Sequence, residues 1–245
     1  MHVFADYHTH TRFSHGTGTV LENVRVAAEK GLEAVAITDH GPANLFGLGV
    51  RDLATFDEIE GEVQKCRAAF PRVKVLMGVE ANIVSTDGDL DVPADVLRRM
   101  DVVLVGHHLL VRGKTLSDSW KLSVRNLLGR RSRSFAQRAR VDNTKSLIEA
   151  VKRNRVDIVT HPGLHVSIDT EELARECARV GTALEINAKH AQLDVEFVKT
   201  AAAQGASFCI DSDAHSPDEV GDFGRALEVA RRAGLDTDRI INARP

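Results

Sequence analysis

The stretch Asp6–His15, DYHTHTRFSH, gathers three imidazoles at positions 8, 10 and 15, in a chain with only 11 histidines. Imidazole nitrogens ligate Zn²⁺, Mn²⁺ or Fe²⁺. His8 and His10 are two apart on an extended segment, so both face the same way and can chelate one ion. Further groups of the same chemistry follow: Asp39-His40, Glu80, His107-His108, His161, and Asp211-x-Asp213-x-His215. A carboxylate such as Glu80 can bridge two ions through its two oxygens. No cysteine joins the set, which argues against a closed structural zinc site.

Each of these groups stands just past an apolar run of strand length. The runs are 2–7, 34–38, 73–79, 102–105, 156–160, 182–187 and 206–211. They are β-branched and nearly continuous, as strands covered on both faces read. Helical patterns lie between them. Thr19-x-x-Glu22, Thr55-x-x-Glu58 and Asp169-x-x-Glu172 read as helix starts, and Ser216-Pro217-x-Glu219 as a fourth. The alternation predicts an α/β fold, either a (β/α) barrel or a doubly wound sheet. In both, the carboxyl ends of parallel strands converge on one face. Six of the seven strands deliver His, Asp or Glu there. The sixth differs and carries Glu185 and Asn187. Only one of His107 and His108 can point inward from a regular strand. His2, His165 and His190 fall outside the pattern and read as surface or supporting residues.

The chain has 245 residues, 43% hydrophobic and 27% charged, which predicts a single globular domain over 1–245. A net charge of −3 makes no global case for nucleic acid or an anionic membrane. Cys66, Cys177 and Cys209 lie far apart in apolar patterns and read as free thiols in a reducing compartment. Neither a signal peptide nor a membrane-spanning stretch is evident, so the expected location is the cytoplasm. One segment breaks the rhythm. Residues 112–140 hold nine Lys/Arg, one acid (Asp118) and the only tryptophan, Trp120. They read as a solvated insertion or as a basic lid that attracts an anion.

The motifs also carry a resemblance. Asp6-x-His8-x-His10-Thr11, Ser14-His15-Gly16, Ile37-Thr38-Asp39-His40-Gly41, Gly78-Val79-Glu80-Ala81-Asn82, His161-Pro162-Gly163 and Ser212-Asp213-Ala214-His215 run in order over essentially the whole chain. They resemble the polymerase and histidinol phosphatase (PHP) family. The forms over 78–83 and 38–42 are nearest to its small stand-alone members, the YcdX-like phosphatases. The resemblance implies a distorted (β/α)7 TIM-like barrel with three divalent metal ions, Zn, Mn or Fe. It implies one ion on His8, His10, Glu80 and Asp213, and a second on His15, His40 and His215. A third would sit on His108 and His161, with Glu80 bridging to the first. His108 is preferred to His107 because the family's ligand follows a Gly-x pair, here Gly106-His107. Segment 112–140 is longer than expected of compact members.

Several divalent ions in one pocket suit hydrolysis of a small phosphate monoester by a metal-activated water, with no protein nucleophile. Asp39 is expected either to orient a ligand histidine or shuttle a proton, or simply to cap a helix. Arg12 is expected to contact phosphate or to lie in solvent, and Arg130, Arg131 or Arg133 could add to it from the basic segment. Histidinol phosphate, nucleotide bisphosphates and sugar phosphates all fit such a pocket. Three rivals differ in class. An exonuclease or DNA-repair phosphodiesterase is favoured by segment 112–140 and disfavoured by the net charge. An amidohydrolase also opens with His-x-His, but no strand here ends in lysine. A non-catalytic metal-binding protein would keep the ligands without turnover.

Overall fold

The structure, a computed structural model, describes residues 1–190 and 195–245. The chain begins with β1 (His2–Val3), which pairs antiparallel with the last strand, β9 (Ala243–Arg244). Between them run seven parallel strands: β2 (Ala5–Asp6), β3 (Ala34–Ile37), β4 (Lys74–Asn82), β5 (Val102–Gly106), β6 (Ile158–Val159), β7 (Ala183–Asn187) and β8 (Phe208–Asp211). Each pairs with its neighbour in sequence. Helices fill the connections. α1 (Val20–Glu29) follows β2, α2 (Thr55–Ala69) follows β3, and α3 (Ala94–Leu97) follows β4. After β5 come α4 (Leu116–Ser119), α5 (Arg125–Gly129) and α6 (Arg133–Arg153). α7 (Thr170–Val180), α8 (Val195–Ala203) and α9 (Gly224–Ala233) follow β6, β7 and β8. The result is a nearly closed (β/α)7 barrel, the first of the two architectures that the alternation predicts.

The seam between β2 and β8 has no regular ladder. At its upper end Thr9 bridges Ala214, with His10 N donating to Ala214 O at 2.8 Å. Lower down, buried Asn242 fills the gap. Its Nδ2 donates to the carbonyls of Ala5 (2.8 Å) and Ile210 (2.6 Å), and its Oδ1 accepts from Ile210 N (3.0 Å). Phe4 N donates to the Asn242 carbonyl, which is why the predicted strand 2–7 is divided into β1 and β2.

Side-chain alternation sorts the strands into two faces. One parity, including Val35, Ile37, Val79, Val103, Val105, Leu184 and Ile186, joins the helices in the large core. The other builds the barrel interior, where Ala36, Val102, Leu104, Ile158, Ala183 and Cys209 form a separate buried cluster. One step further along, the same parity turns polar: Thr38, Glu80, Thr160, Glu185 and Asp211, all buried. A small apolar plug thus floors a polar chamber.

Two helix starts form as predicted, the Thr19/Glu22 capping box and the Asp169 cap. Two differ. At α2 it is Asp52 whose Oδ1 accepts from Thr55 N (3.1 Å), because the chain already turns helically through Ala54. Ser216-Pro217 opens only a 3-10 turn, Pro217–Glu219, and α9 begins at Gly224. Residues 133–140 of the basic segment are the first turns of α6, which continues as a barrel helix to Arg153.

Candidate metal centre

The strand ends deliver their groups to one place. His40 bridges Glu80 in the register of the β3–β4 pairing, beyond its last pair Ile37–Met77, and the Thr9–Ala214 bridge sets His8 and His10 beside Asp213 and His215. Glu80 is the hub and fully buried. Its Oε2 faces His40 Nδ1 at 2.8 Å, His8 Nε2 at 3.3 Å and His10 Nε2 at 3.6 Å. Its Oε1 faces His161 Nε2 at 3.0 Å and His108 Nε2 at 3.3 Å, and accepts from Thr160 Oγ1 at 2.7 Å. Asp213 Oδ1 is 3.3 Å from His10 Nε2 and 3.6 Å from His8 Nε2. His15 Nε2 meets His215 Nε2 at 2.6 Å. Four donor groups result: His8-His10-Asp213, His8-Glu80-His161, His40-Glu80-His108 and His10-His40-His215. They overlap more than the three predicted sets, since His40 stands close to Glu80 as well as to His215.

The outer nitrogens explain what the inner ones offer. His15 Nδ1 lies 2.9 Å from Leu48 O, and His215 Nδ1 lies 2.8 Å from Asp213 O. A carbonyl only accepts, so both Nδ1 atoms carry a proton and both Nε2 atoms are turned inward. Two ring nitrogens facing at 2.6 Å share a cation, either a proton or a metal ion. His8 Nδ1 is likewise held by Glu185 Oε1 (2.6 Å) and His108 Nδ1 by Asn82 Oδ1 (2.7 Å). Such outer bonds set ring orientation and ligand basicity in metal sites. Glu80 Oε2, His40 Nδ1 and His108 Nε2 are buried with no aligned hydrogen bond. Donors sharing one ion at about 2.0–2.2 Å stand about 3.3 Å apart, as many of these pairs do. The donor set fits divalent metal.

The electrostatics divide the cluster, with some rings held neutral and His8 and His161, against their burial, raised by the carboxylates around them. Burial pushes His40 and His215 down to about 4, so both rings are neutral at pH 7. Burial, with His40 beside it, holds His10 well below the ordinary range. For His8 burial is outweighed by Glu185, Glu80 and Asp213, which lift it well above. Burial would raise Glu80, but His40, His8 and His108 hold it well below, and Asp213 is held low by His8 and His10 against the same burial. Backbone strain sits here too. His161 (φ 26°) and Asp213 (φ 55°) are two of the four non-glycine residues with positive φ among the described residues. Gly106 leaves room: a Cβ there would stand 2.4 Å from His108 Cε1 and 2.8 Å from Glu80 Oε1.

Other predicted residues fall elsewhere. Asp39 touches no ligand ring. It is buried and accepts from Thr11 N (2.8 Å), Thr11 Oγ1 (2.6 Å) and Ser14 Oγ (2.5 Å), bracing the loop that carries His15. Arg12 is exposed and outside the cavity over the cluster, because the chain leaves extended geometry after His10. That cavity, about 470 Å³, is lined instead by Arg130. His107 is buried but lies outside every donor group. Glu185 and Asn187, the polar residues of the sixth strand, and His190, read as a surface or supporting residue, join the site. Glu185 Oε2 accepts from His161 N (2.5 Å), Asn187 Nδ2 reaches both Glu185 (3.0 Å) and Asp213 (3.1 Å), and His190 Nε2 is 3.2 Å from Asp213 Oδ2. A glutamate inside an apolar strand was the sequence cue for Glu185.

Comparison with known proteins agrees with the fold. The chain matches the PHP domain over residues 6–189 and belongs to that family. Membership makes it a metal-dependent phosphoesterase. It is 31% identical to a probable phosphatase of Thermoanaerobacter sp. (strain X514), covering 99% of this chain and 91% of the relative. It is 31% identical to a probable phosphatase of Shewanella oneidensis, with 98% and 87% covered. The crystal structure of a histidinol phosphate phosphatase from Lactococcus lactis, complexed with zinc, L-histidinol and phosphate, superposes with a TM-score of 0.64 at 15% identity. That match covers 95% of this chain and 94% of the other, and shows a shared fold.

Proposed function

We propose that the chain hydrolyses a small phosphate monoester with three divalent ions, Zn, Mn or Fe. The ligands are His8, His10, His15, His40, Glu80, His108, His161, Asp213 and His215. The observation that carries this reading is Glu80, whose two oxygens face two different sets of histidines. Bound divalent ions would neutralise phosphate oxygens and make water acidic enough to act near neutral pH. The protein's own part is to preorganise. Glu185, Asn82 and the carbonyls of Leu48 and Asp213 hold the outer ring nitrogens, so the inner ones are turned toward the cluster. Asp39 keeps the His15 loop in place, and the strand ends fix the remaining rings. No serine, threonine or cysteine hydroxyl or thiol is needed as nucleophile. Arg130, lining the cavity, would meet the anionic substrate.

No helix among the described residues is long and apolar enough to cross a membrane. The three cysteines are free and buried, which suits a reducing compartment, and we infer the cytoplasm.

The test is to count metals in the purified protein and assay 4-nitrophenyl phosphate with and without added Mn²⁺ or Zn²⁺. About three ions per chain and metal-dependent release of nitrophenol are expected. Fully metallated protein inert toward phosphate esters would overturn the phosphatase reading. Full activity in His8→Ala or Glu80→Ala would overturn the ligand assignment.

A further inference from the structure

The cavity above the donor cluster is unlike a site for sugars. Its floor is the histidine and aspartate cluster, but its walls are Leu48, Leu109, Leu110, Leu127 and Leu164. These come from three separate connections, after β3, β5 and β6, so the apolar lining is not one helix stripe. Leu110 is 47% exposed and Leu127 46%, which leaves apolar surface open to solvent at the mouth. Beyond the donor cluster, the polar side chains lining the cavity are Asn44, Arg130, His165 and His190. Asn44 is already bonded to Asn82. Arg130 has no ion-pair partner among the described residues and is the only lysine or arginine in the lining. One fixed cation and a leucine wall suit one phosphate on an apolar body. The hydroxyls of a sugar would lose water there and find few partners, a costly exchange.

We propose that the substrate is a phosphate monoester of an apolar alcohol or phenol, its leaving group lying against these five leucines. The proposal rests on the phosphatase reading and names the substrate class of that same site. About 470 Å³ is within the size range of small-molecule sites and leaves room for such a group beside the phosphate. Cleavage exchanges the phosphorus–ester oxygen bond for a phosphorus–oxygen bond from water, and the released alcohol takes the proton that the water gives up.

The experiment uses the metal-loaded full chain and n-alkyl phosphates from ethyl to hexyl, whose leaving alcohols have nearly constant acidity. We expect kcat/KM to rise about two- to fourfold per added methylene, with glycerol 3-phosphate and glucose 6-phosphate no better than ethyl phosphate. A parallel calorimetric titration with non-hydrolysable n-alkylphosphonates should give the same slope in affinity. Leu110→Ser and Leu127→Ser, at half-exposed positions that should still fold, should cut the slope below twofold per methylene. A flat series in both readouts, or sugar phosphates preferred over hexyl phosphate, would overturn the proposal. Inert esters together with a rising phosphonate series would overturn the phosphatase reading and leave the apolar site standing.

Discussion

Glu185 reaches two histidines without standing among the predicted ligands. It holds the His8 ring at 2.6 Å and the His161 backbone at 2.5 Å. Groups that orient ligands in this way set metal affinity. Glu185→Gln is therefore expected to weaken metal binding about 10- to 100-fold, read by titration against a competing chelator, with the circular dichroism spectrum retained. An unchanged affinity would show that His8 is oriented by packing alone. Asp39 has the opposite character, three donors and no ligand ring. Asp39→Ala leaves the buried Thr11 donors unpaired, and should lower stability by about 1–3 kcal/mol in urea unfolding. A wild-type midpoint would mean the loop finds other partners.

Elements place these residues through close approach and pairing. Gly106 closes β5 directly under the His108 ring, and no side chain fits between that ring and Glu80. Gly106→Ala must push His108 or Glu80 aside. It should remove at least one ion from the metal count while the barrel survives, and a full complement of metal would contradict the packing. At the seam, Asn242 replaces ladder bonds that β2 and β8 do not make. Asn242→Ala should cost about 1–3 kcal/mol, seen as a lower denaturation midpoint. The seam also limits what period and composition reveal. Strands 34–37 and 102–106 are legible because both faces are buried and the runs are unbroken. The division of 2–7 is not, because it depends on Asn242, more than 230 residues away. Likewise Ser216-Pro217 has the local chemistry of a helix start but yields a single turn before Gly224.

At the scale of the whole molecule, the donor cluster joins residues 8 to 215, so metal binding there would be coupled to folding. Each ion held at 100 times its dissociation constant contributes about 2.7 kcal/mol. Chelation should lower the melting temperature by about 5–10 °C per ion lost. The thiols read integrity independently. Burial pushes Cys177 up to about 12 and Cys209 well above its usual value, and Cys66 is raised for the same reason. At pH 8 the Cys177 thiolate is roughly one part in ten thousand. A disulfide reagent should thus label the native protein slowly and all three cysteines on unfolding. Fast native labelling would contradict the packed interior.

The sequence by itself determined the alternation of strand and helix, the strand-end positions of the histidines and acids, and the family. These are local or periodic properties, written in residue type and spacing. Tertiary structure alone decided that Asp39 braces a loop, that Arg12 faces solvent while Arg130 lines the cavity, and that Glu185 orients His8. Those outcomes depend on which atoms meet across a closed sheet, and no spacing along one chain encodes a contact between residues 8 and 185.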